Sequence, residues 1–286
     1  MALASRYRIR FVYFVLIVLG AGRFACAGTV TLTAKDTGFV TEAGGSSKGD
    51  GTIVAPAAFN YSVGREVHYG SGFLFSSLAA MDRKNYFVFE LTGIPGVITA
   101  ATLKLWAPPG AYENTDDPAE LFEIGATSDM AGALSDSVAL AVGFSVGSDE
   151  FDDAGDPLIT TSSALYSKLA LGPALAGTAV TAADDGSFVS VPFSGAGVAY
   201  LNSFMGTPVI LGGKVPTAIA PDTPQSLFGF TGPDIPMGDV LTPTLELTFA
   251  PAAVPEPRLA WLTGGALLLI FGWSSRQRLA RRLNPE

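Results

Sequence analysis

The side chains of this chain that could do chemistry are mainly acids and aromatics. The densest acidic stretch is Asp149-Glu150-Phe151-Asp152-Asp153-Ala154-Gly155-Asp156-Pro157. Carboxylates gathered on a glycine-containing loop are the oxygen donors that Ca²⁺ takes, which makes Asp149, Asp152, Asp153 and Asp156 a candidate calcium set. The stretch lacks the alternate-residue ligand spacing of an EF-hand, and a solvated acidic loop is the plainer reading. Aromatic rings on an exposed sheet face can stack on sugar rings, and Tyr61, Tyr69, Trp106 and Tyr112 are the candidates. The competing reading puts such rings in a β core or at its edge.

His68 is the only histidine. A Ser-His-Asp hydrolase would have to use it, and a multi-histidine metal centre is excluded by count. Val67-His68-Tyr69 reads instead as a strand or loop, and no nucleophile elbow, P-loop or dinucleotide fingerprint is read in the chain. Paired carboxylates of the glycosidase kind stay open, because spacing along the sequence places no two acids at a defined separation. Asp116-Asp117 and Asp184-Asp185-Gly186 read as turn residues.

The elements that must position these groups are short and strand-like. Thr29–Ala34 alternates hydroxyl and apolar positions, Tyr86–Leu91 turns Phe87, Phe89 and Leu91 to one face, and Ile98–Trp106 does the same with Leu103 and Leu105. Asp36–Glu42 continues extended, and the glycine and serine run Gly44–Gly51 reads as a loop. Met81-Asp82-Arg83-Lys84 reads as a break between aromatic runs, and further strands are expected at Glu120–Gly125, Val138–Val146, Val180–Ala182, Phe188–Phe193, Val209–Leu211, Leu227–Phe230 and Leu241–Phe249. Ser162–Leu171 has helical spacing, and Gly197–Met205 can form a helical turn. Roughly ten to twelve short strands with little helix predict a mainly β fold, an antiparallel β-sandwich or jelly roll, in a single domain without internal repeats.

Both ends read as targeting segments. Arg6, Arg8 and Arg10 precede the apolar run Phe11–Leu19, and Ala25 and Ala27 flank Cys26 as the small residues of a cleavage triplet, which predicts a secretory signal peptide cut after Ala27 by signal peptidase once the Sec machinery has engaged it. Cys26 is the only cysteine, so the exported part relies on core packing or bound ions rather than disulfides. Residues 28–255 carry 8 Lys+Arg against 24 Asp+Glu, a net charge of −16. That balance argues against nucleic acid and anionic lipid as partners and is compatible with Ca²⁺; no other cofactor is expected.

At the other end, Val254-Pro255-Glu256-Pro257 precedes an uncharged run from Leu259 to Trp273. As a helix that run covers roughly 22 Å against a hydrocarbon core of about 30 Å, a marginal span. Arg276, Arg278, Arg281 and Arg282 all follow it, so the positive-inside rule keeps the C-terminus in the cytoplasm and everything before Pro255 outside. The expected organisation is a signal peptide (1–27), a β-sandwich ectodomain (28–249), a Pro-rich linker (250–258), a transmembrane helix (259–275) and a basic tail (276–286).

This tail resembles the PEP-CTERM sorting domain of Gram-negative bacteria that make exopolysaccharide. The resemblance implies that an exosortase, a membrane cysteine transpeptidase, recognises Pro255, Glu256 and Pro257 and processes the chain as its substrate. Asp36-Thr37-Gly38-Phe39-Val40, Asn85–Leu91 and Ile98–Trp106 resemble the opening strands of DNRLRE-type β-sandwiches, which are similar to carbohydrate-binding modules, and Asn85–Leu91 is similar to a strand of uncharacterised PEP-CTERM ectodomains. The expectation is therefore a non-enzymatic exported protein, held first in the inner membrane and then delivered to the cell surface or exopolysaccharide matrix. The alternative is a carbohydrate-binding module, assisted by Ca²⁺; a glycan-active enzyme ranks below both.

Overall fold

Alternation of apolar and hydroxyl residues forms strands wherever one face has a core to meet, and the chain holds these elements in order: Gly28–Thr33 (β1), Asp36–Thr41 (β2), Ser46–Gly49 (β3), Val63–Tyr69 (β4), Leu78–Glu90 (β5), Gly96–Ala107 (β6), Glu113–Asn114 (β7), Glu120–Ala126 (β8), Met130–Ala139 (α1), Gly143–Ser145 (β9), Pro157–Lys168 (α2), Leu171–Val180 (β10), Ser187–Pro192 (β11), Gly195–Ser203 (α3), Pro208–Lys214 (β12), Gln225–Leu227 (β13) and Thr244–Pro251 (β14). The computed structural model describes residues 27–49, 61–69, 78–114, 118–140, 143–145, 157–216, 225–228 and 242–251. The fold is mainly β, as expected, and among the described residues every strand pair is antiparallel.

One sheet has four strands in the order β1-β14-β6-β11, and the other runs β10-β8-β12-β5-β2-β3-β9 with β4, β13 and β7 attached beside β5. Leu103 and Leu105 of β6, Val189 and Val191 of β11 and Leu245 and Leu247 of β14 meet Phe87, Phe89, Phe122, Ile124, Val209 and Leu211 of the larger sheet in one buried cluster. Each fully buried side chain of this size stabilises the fold by roughly 1.5–3 kcal/mol, which fixes which face of each strand turns inward. A bridge between Ala176 and Phe193 joins the β10 and β11 edges, so the two sheets curl into a half-barrel. Asn202 of α3 closes one end: its Oδ1 accepts from the Ile98 amide at 2.9 Å and its Nδ2 donates to the Ile98 carbonyl at 2.8 Å.

The far face of the larger sheet carries a second apolar layer, in which Val40, Tyr86 and Ile210 lie under Ala133 and Leu140, at α1, and Leu165 and Leu169, at α2. Gly212 and Gly125 stand opposite each other on β12 and β8. A Cβ on either would lie 2.6 Å from backbone atoms of Ala170, so the absence of two side chains is what lets the end of α2 rest on the sheet. Lys84 then ties the layers together, donating to the carbonyls of Tyr166 at 3.1 Å and Leu169 at 2.9 Å. Those carbonyls belong to the last turn of α2, where a cation is favoured.

Four expectations are corrected. Met81–Lys84 is the middle of β5 rather than a break: the Arg83 guanidinium lies 4.4 Å from the centre of the Phe39 ring and Lys84 serves α2, so tertiary contacts occupy both cations. Gly44–Gly51 is not a featureless loop, because Gly44 takes φ 96° in a tight turn closed by Thr41 N to Gly45 O at 2.8 Å, and Ser46–Gly49 then pairs with β2 and β9. Among its described residues Val138–Val146 is a strand only at Gly143–Ser145; Asp129 caps α1 by accepting from the Gly132 amide at 3.1 Å, and Ala133 and Ser137 give a buried helical stripe. Helix is also more abundant than expected, since Pro157–Lys168 begins before Ser162 and Gly195–Ser203 is a full α-helix.

Among the described residues no helix is long and apolar enough to cross a membrane. The signal segment with Ala25 and most of the signal peptide, the Pro255-Glu256-Pro257 handle, the apolar run and Arg276, Arg278, Arg281 and Arg282 lie outside them.

Candidate functional site

The outward face of the four-stranded sheet is where the aromatic candidates and the strand pattern converge. Trp106 is half-buried near the end of β6 and stands directly opposite Phe188 of β11. Their ring centres are 5.3 Å apart in an edge-to-face arrangement, and Phe188 is 43% exposed. Exposing a phenylalanine on a strand forfeits burial energy, so a solvent-facing aromatic pair is informative in a way that an isolated surface leucine is not.

Away from this pair hydroxyls predominate on the face, with Val97 exposed near the start of β6. Thr29, Thr31 and Thr33 of β1 are exposed and stand opposite Thr248, Glu246 and Thr244 of β14. Thr99 donates to the Thr248 carbonyl at 3.2 Å, and Ser190 of β11 is exposed opposite Lys104 of β6. Lys104 pairs with Glu246 at 2.7 Å, so the two charges on this face cancel. Period two explains the arrangement: the partners of these residues along each strand, Leu103, Leu105, Val189, Leu245 and Leu247, are the buried ones.

The other aromatic candidates fare differently. Tyr61 is 1% exposed and belongs to the core, edge-on to Phe87 with ring centres 5.5 Å apart and donating its hydroxyl to the Trp106 carbonyl at 2.7 Å. It is not available to an external ring, which corrects the stacking expectation, though it supports the strand that carries Trp106. Burial pushes its phenol up, and the bond to Trp106 offsets part of that rise. Tyr112 is half-buried against the core, and its backbone amide donates to Asp185. Tyr69 ends β4, and its side chain lies outside the described residues, as does that of His68.

Asp184 and Asp185 are turn residues, as expected: Asp184 Oδ2 accepts from the Thr181 amide at 2.8 Å and Asp185 Oδ2 from the Gly110 amide at 2.9 Å. The acidic stretch with Asp149, Asp152, Asp153 and Asp156 lies outside the described residues, and among the described ones no three His, Cys, Asp or Glu residues are grouped to hold a metal ion. Gly45-Ser46-Ser47-Lys48-Gly49 does match the Gly-x-Ser-x-Gly pattern, contrary to the reading above. It runs into β3 from a hairpin turn, whereas a nucleophile elbow needs a sharp strand-to-helix turn.

One polar cluster went unread in the sequence. Glu120 is 1% exposed at the start of β8; Gln225 Nε2 of β13 donates to its Oε2 at 2.5 Å, and Asn114 Nδ2 of β7 donates to its Oε1. The signal was present, since Glu120 shares the period-two face of Phe122 and Ile124, both fully buried. The cluster fixes β7 and β13 to the body of the sheet.

A second buried polar group bears on pH. Tyr86, beneath the helices, is fully buried and its hydroxyl has no hydrogen-bond partner among the described residues; burial, reinforced by the charge of Asp36, holds its phenol well above the ordinary range. Tyr166 is pushed up to about 12, chiefly by burial. Such phenols stay neutral in the folded protein while those of the unfolded chain ionise near pH 10, so their contribution is complete below about pH 10 and is lost as pH rises through the folded values. Tyr86→Phe is expected to stabilise the protein at neutral pH by about 1 kcal/mol, because it removes an unsatisfied buried hydroxyl, and to flatten the alkaline loss. Urea unfolding at pH 7 and at about pH 11 tests this. A destabilised variant at neutral pH would show that the hydroxyl has a partner.

No family model matches this chain, and no curated protein matches it.

Proposed function

We propose that this protein is a non-enzymatic, exported surface or matrix protein whose C-terminal tail is the substrate of an exosortase. What supports the reading is the order of three features in the sequence: the rigid Pro255-Glu256-Pro257 handle, the short apolar run and the four arginines behind it. On this reading the signal helix is removed, the tail helix spans the inner membrane until processing, and the antiparallel domain, a β-sandwich with an added helical layer, is the cargo. Prolines at both ends of the handle fix φ and remove amide donors, which keeps the segment extended for an enzyme at the membrane surface. The test is fractionation of a Gram-negative host with and without its exosortase. The precursor should accumulate in the inner membrane at full size when the enzyme is missing; a mature protein of identical size and location in both strains would overturn the reading.

A second reading, a carbohydrate-binding module assisted by Ca²⁺, is favoured by one observation, the solvent-facing Trp106–Phe188 pair on a sheet face where hydroxyls otherwise predominate. Its calcium component would reside in Asp149, Asp152, Asp153 and Asp156. Retention of the protein on a glycan matrix, and the response of that retention to a chelator, tests it.

A further inference from the structure

The outer face of the sheet β1-β14-β6-β11 joins an aromatic shelf to rows of fixed hydroxyls, and we propose that it is a docking platform for a neutral polysaccharide chain, an inference that rests on the carbohydrate-binding reading above without its calcium component. A sugar ring offers a C–H face and a rim of hydroxyls, so it needs an apolar plate and groups that both donate and accept. Trp106 and Phe188 supply apolar ring surface at one end of the face, their planes inclined at 69° so that one ring at a time serves as the plate. Thr31, Thr33, Thr248 and Ser190 supply hydroxyls, each with one donor and two acceptor lone pairs.

Four properties select this occupant over others. Threonine is stiff at χ1, and these threonines sit on paired strands, so their hydroxyls are held in place before anything binds and little entropy is lost on contact. Strand spacing of about 4.8 Å and a same-face repeat of about 6.8 Å spread them as a lattice rather than a pocket, which suits an extended polymer rather than a small molecule. Charge decides the polymer class: the exported part is strongly acidic overall, and Lys104 on this face is committed to Glu246. An anionic glycan or a nucleic acid would meet net repulsion, and the four strands of this sheet offer no cation besides Lys104 to receive it. A protein partner would want a contiguous apolar patch, and here the exposed large apolar side chains, the Trp106–Phe188 pair and Val97, stand at opposite ends of β6.

The experiment is affinity electrophoresis of the full-length chain in mild detergent through native gels containing hydroxyethylcellulose, dextran or mixed-linkage β-glucan, with alginate as the anionic control. Retardation is expected on at least one neutral polymer and not on alginate. Phe188→Ala and Trp106→Ala should each weaken retention about tenfold, and Thr31→Val, which keeps the shape and removes only the hydroxyl, about threefold. Chelation of divalent ions should leave retention unchanged. Phe188→Ala and Thr31→Val alter exposed side chains, so their melting temperatures, measured alongside, should match the parent protein. Retention that survives all three substitutions, or that disappears on chelation, would overturn the platform while leaving a carbohydrate-binding module elsewhere on the domain. Stronger retention on alginate would overturn the neutral class, and no retention on any polymer would overturn both the platform and the module.

Discussion

Gly213→Ala is expected to destabilise this protein by about 3 kcal/mol, although adding a methyl group to a strand glycine ordinarily gains about 0.5–1 kcal/mol through the unfolded chain. Gly213 lies in β12 between β5 and β8, paired with Asn85 on one side and Ile124 on the other. A Cβ there would be driven against Asn85 Oδ1 and would stand 2.6 Å from two ring carbons of Phe122. Neither neighbour has room to give, since Asn85 and Phe122 are fully buried and Asn85 Nδ2 is donating to the Tyr61 carbonyl at 3.0 Å. The control is Gly195→Ala at the first position of α3, where a Cβ meets nothing within 4 Å. That change should be stabilising by about 0.5 kcal/mol. Opposite signs for the two substitutions in urea unfolding are the expected outcome, and a neutral Gly213→Ala would mean that β12 does not lie between β5 and β8 as described.

The same neighbourhood shows how far the sequence could be read. Asn85–Leu91 and Ile98–Trp106 announced themselves because a two-residue period against a core leaves an unmistakable alternation, and both are strands with the expected residues inward. Met81–Lys84 misled because a run of charges ordinarily marks solvent. Here the partners of those charges, the Phe39 ring and the end of α2, come from segments far along the chain. Ser46–Gly49 misled for the related reason that its strand is made by its neighbours, β2 and β9, and not by its own propensity. The helix Met130–Ala139 was obscured by Val138 and Leu140, which suit a strand, while the decisive information was the Asp129 cap.

For the candidate surface, Trp106 was legible as a residue type in an alternating strand, but the alternation could not say that its neighbour across the sheet is Phe188. That pairing depends on an antiparallel register between segments eighty residues apart, in which Ser187 meets Ala107 and Pro192 meets Thr102. Nor could it separate Trp106 from Tyr61, since both are aromatics near strand ends. One faces outward and the other crosses the core to bond the first one's carbonyl. The threonines of β1 gained meaning only once β14, from the far end of the domain, was seen beside them.

The buried acid Glu120 supplies the remaining large effect. Glu120→Leu is expected to cost about 4 kcal/mol, because the leucine fits the apolar face of β8 but leaves the buried amide donor of Gln225 without this acceptor and takes it from half-buried Asn114 as well. Glu120→Gln keeps one acceptor oxygen and should cost less, about 1–2 kcal/mol. The decisive comparison is the double variant Glu120→Leu with Gln225→Leu: once the stranded donor is removed, part of the loss should return, giving a coupling of at least about 1 kcal/mol in a double-mutant cycle. β13 pairs with both β4 and β7, so losing the cluster should also loosen those strands first, visible as faster amide exchange at Val63–Arg65 than in β6 or β14. Additive single and double variants would show that Glu120 and Gln225 do not act as a unit. Uniform exchange across both sheets would show instead that the acid secures the whole domain rather than the β4-β13-β7 extension.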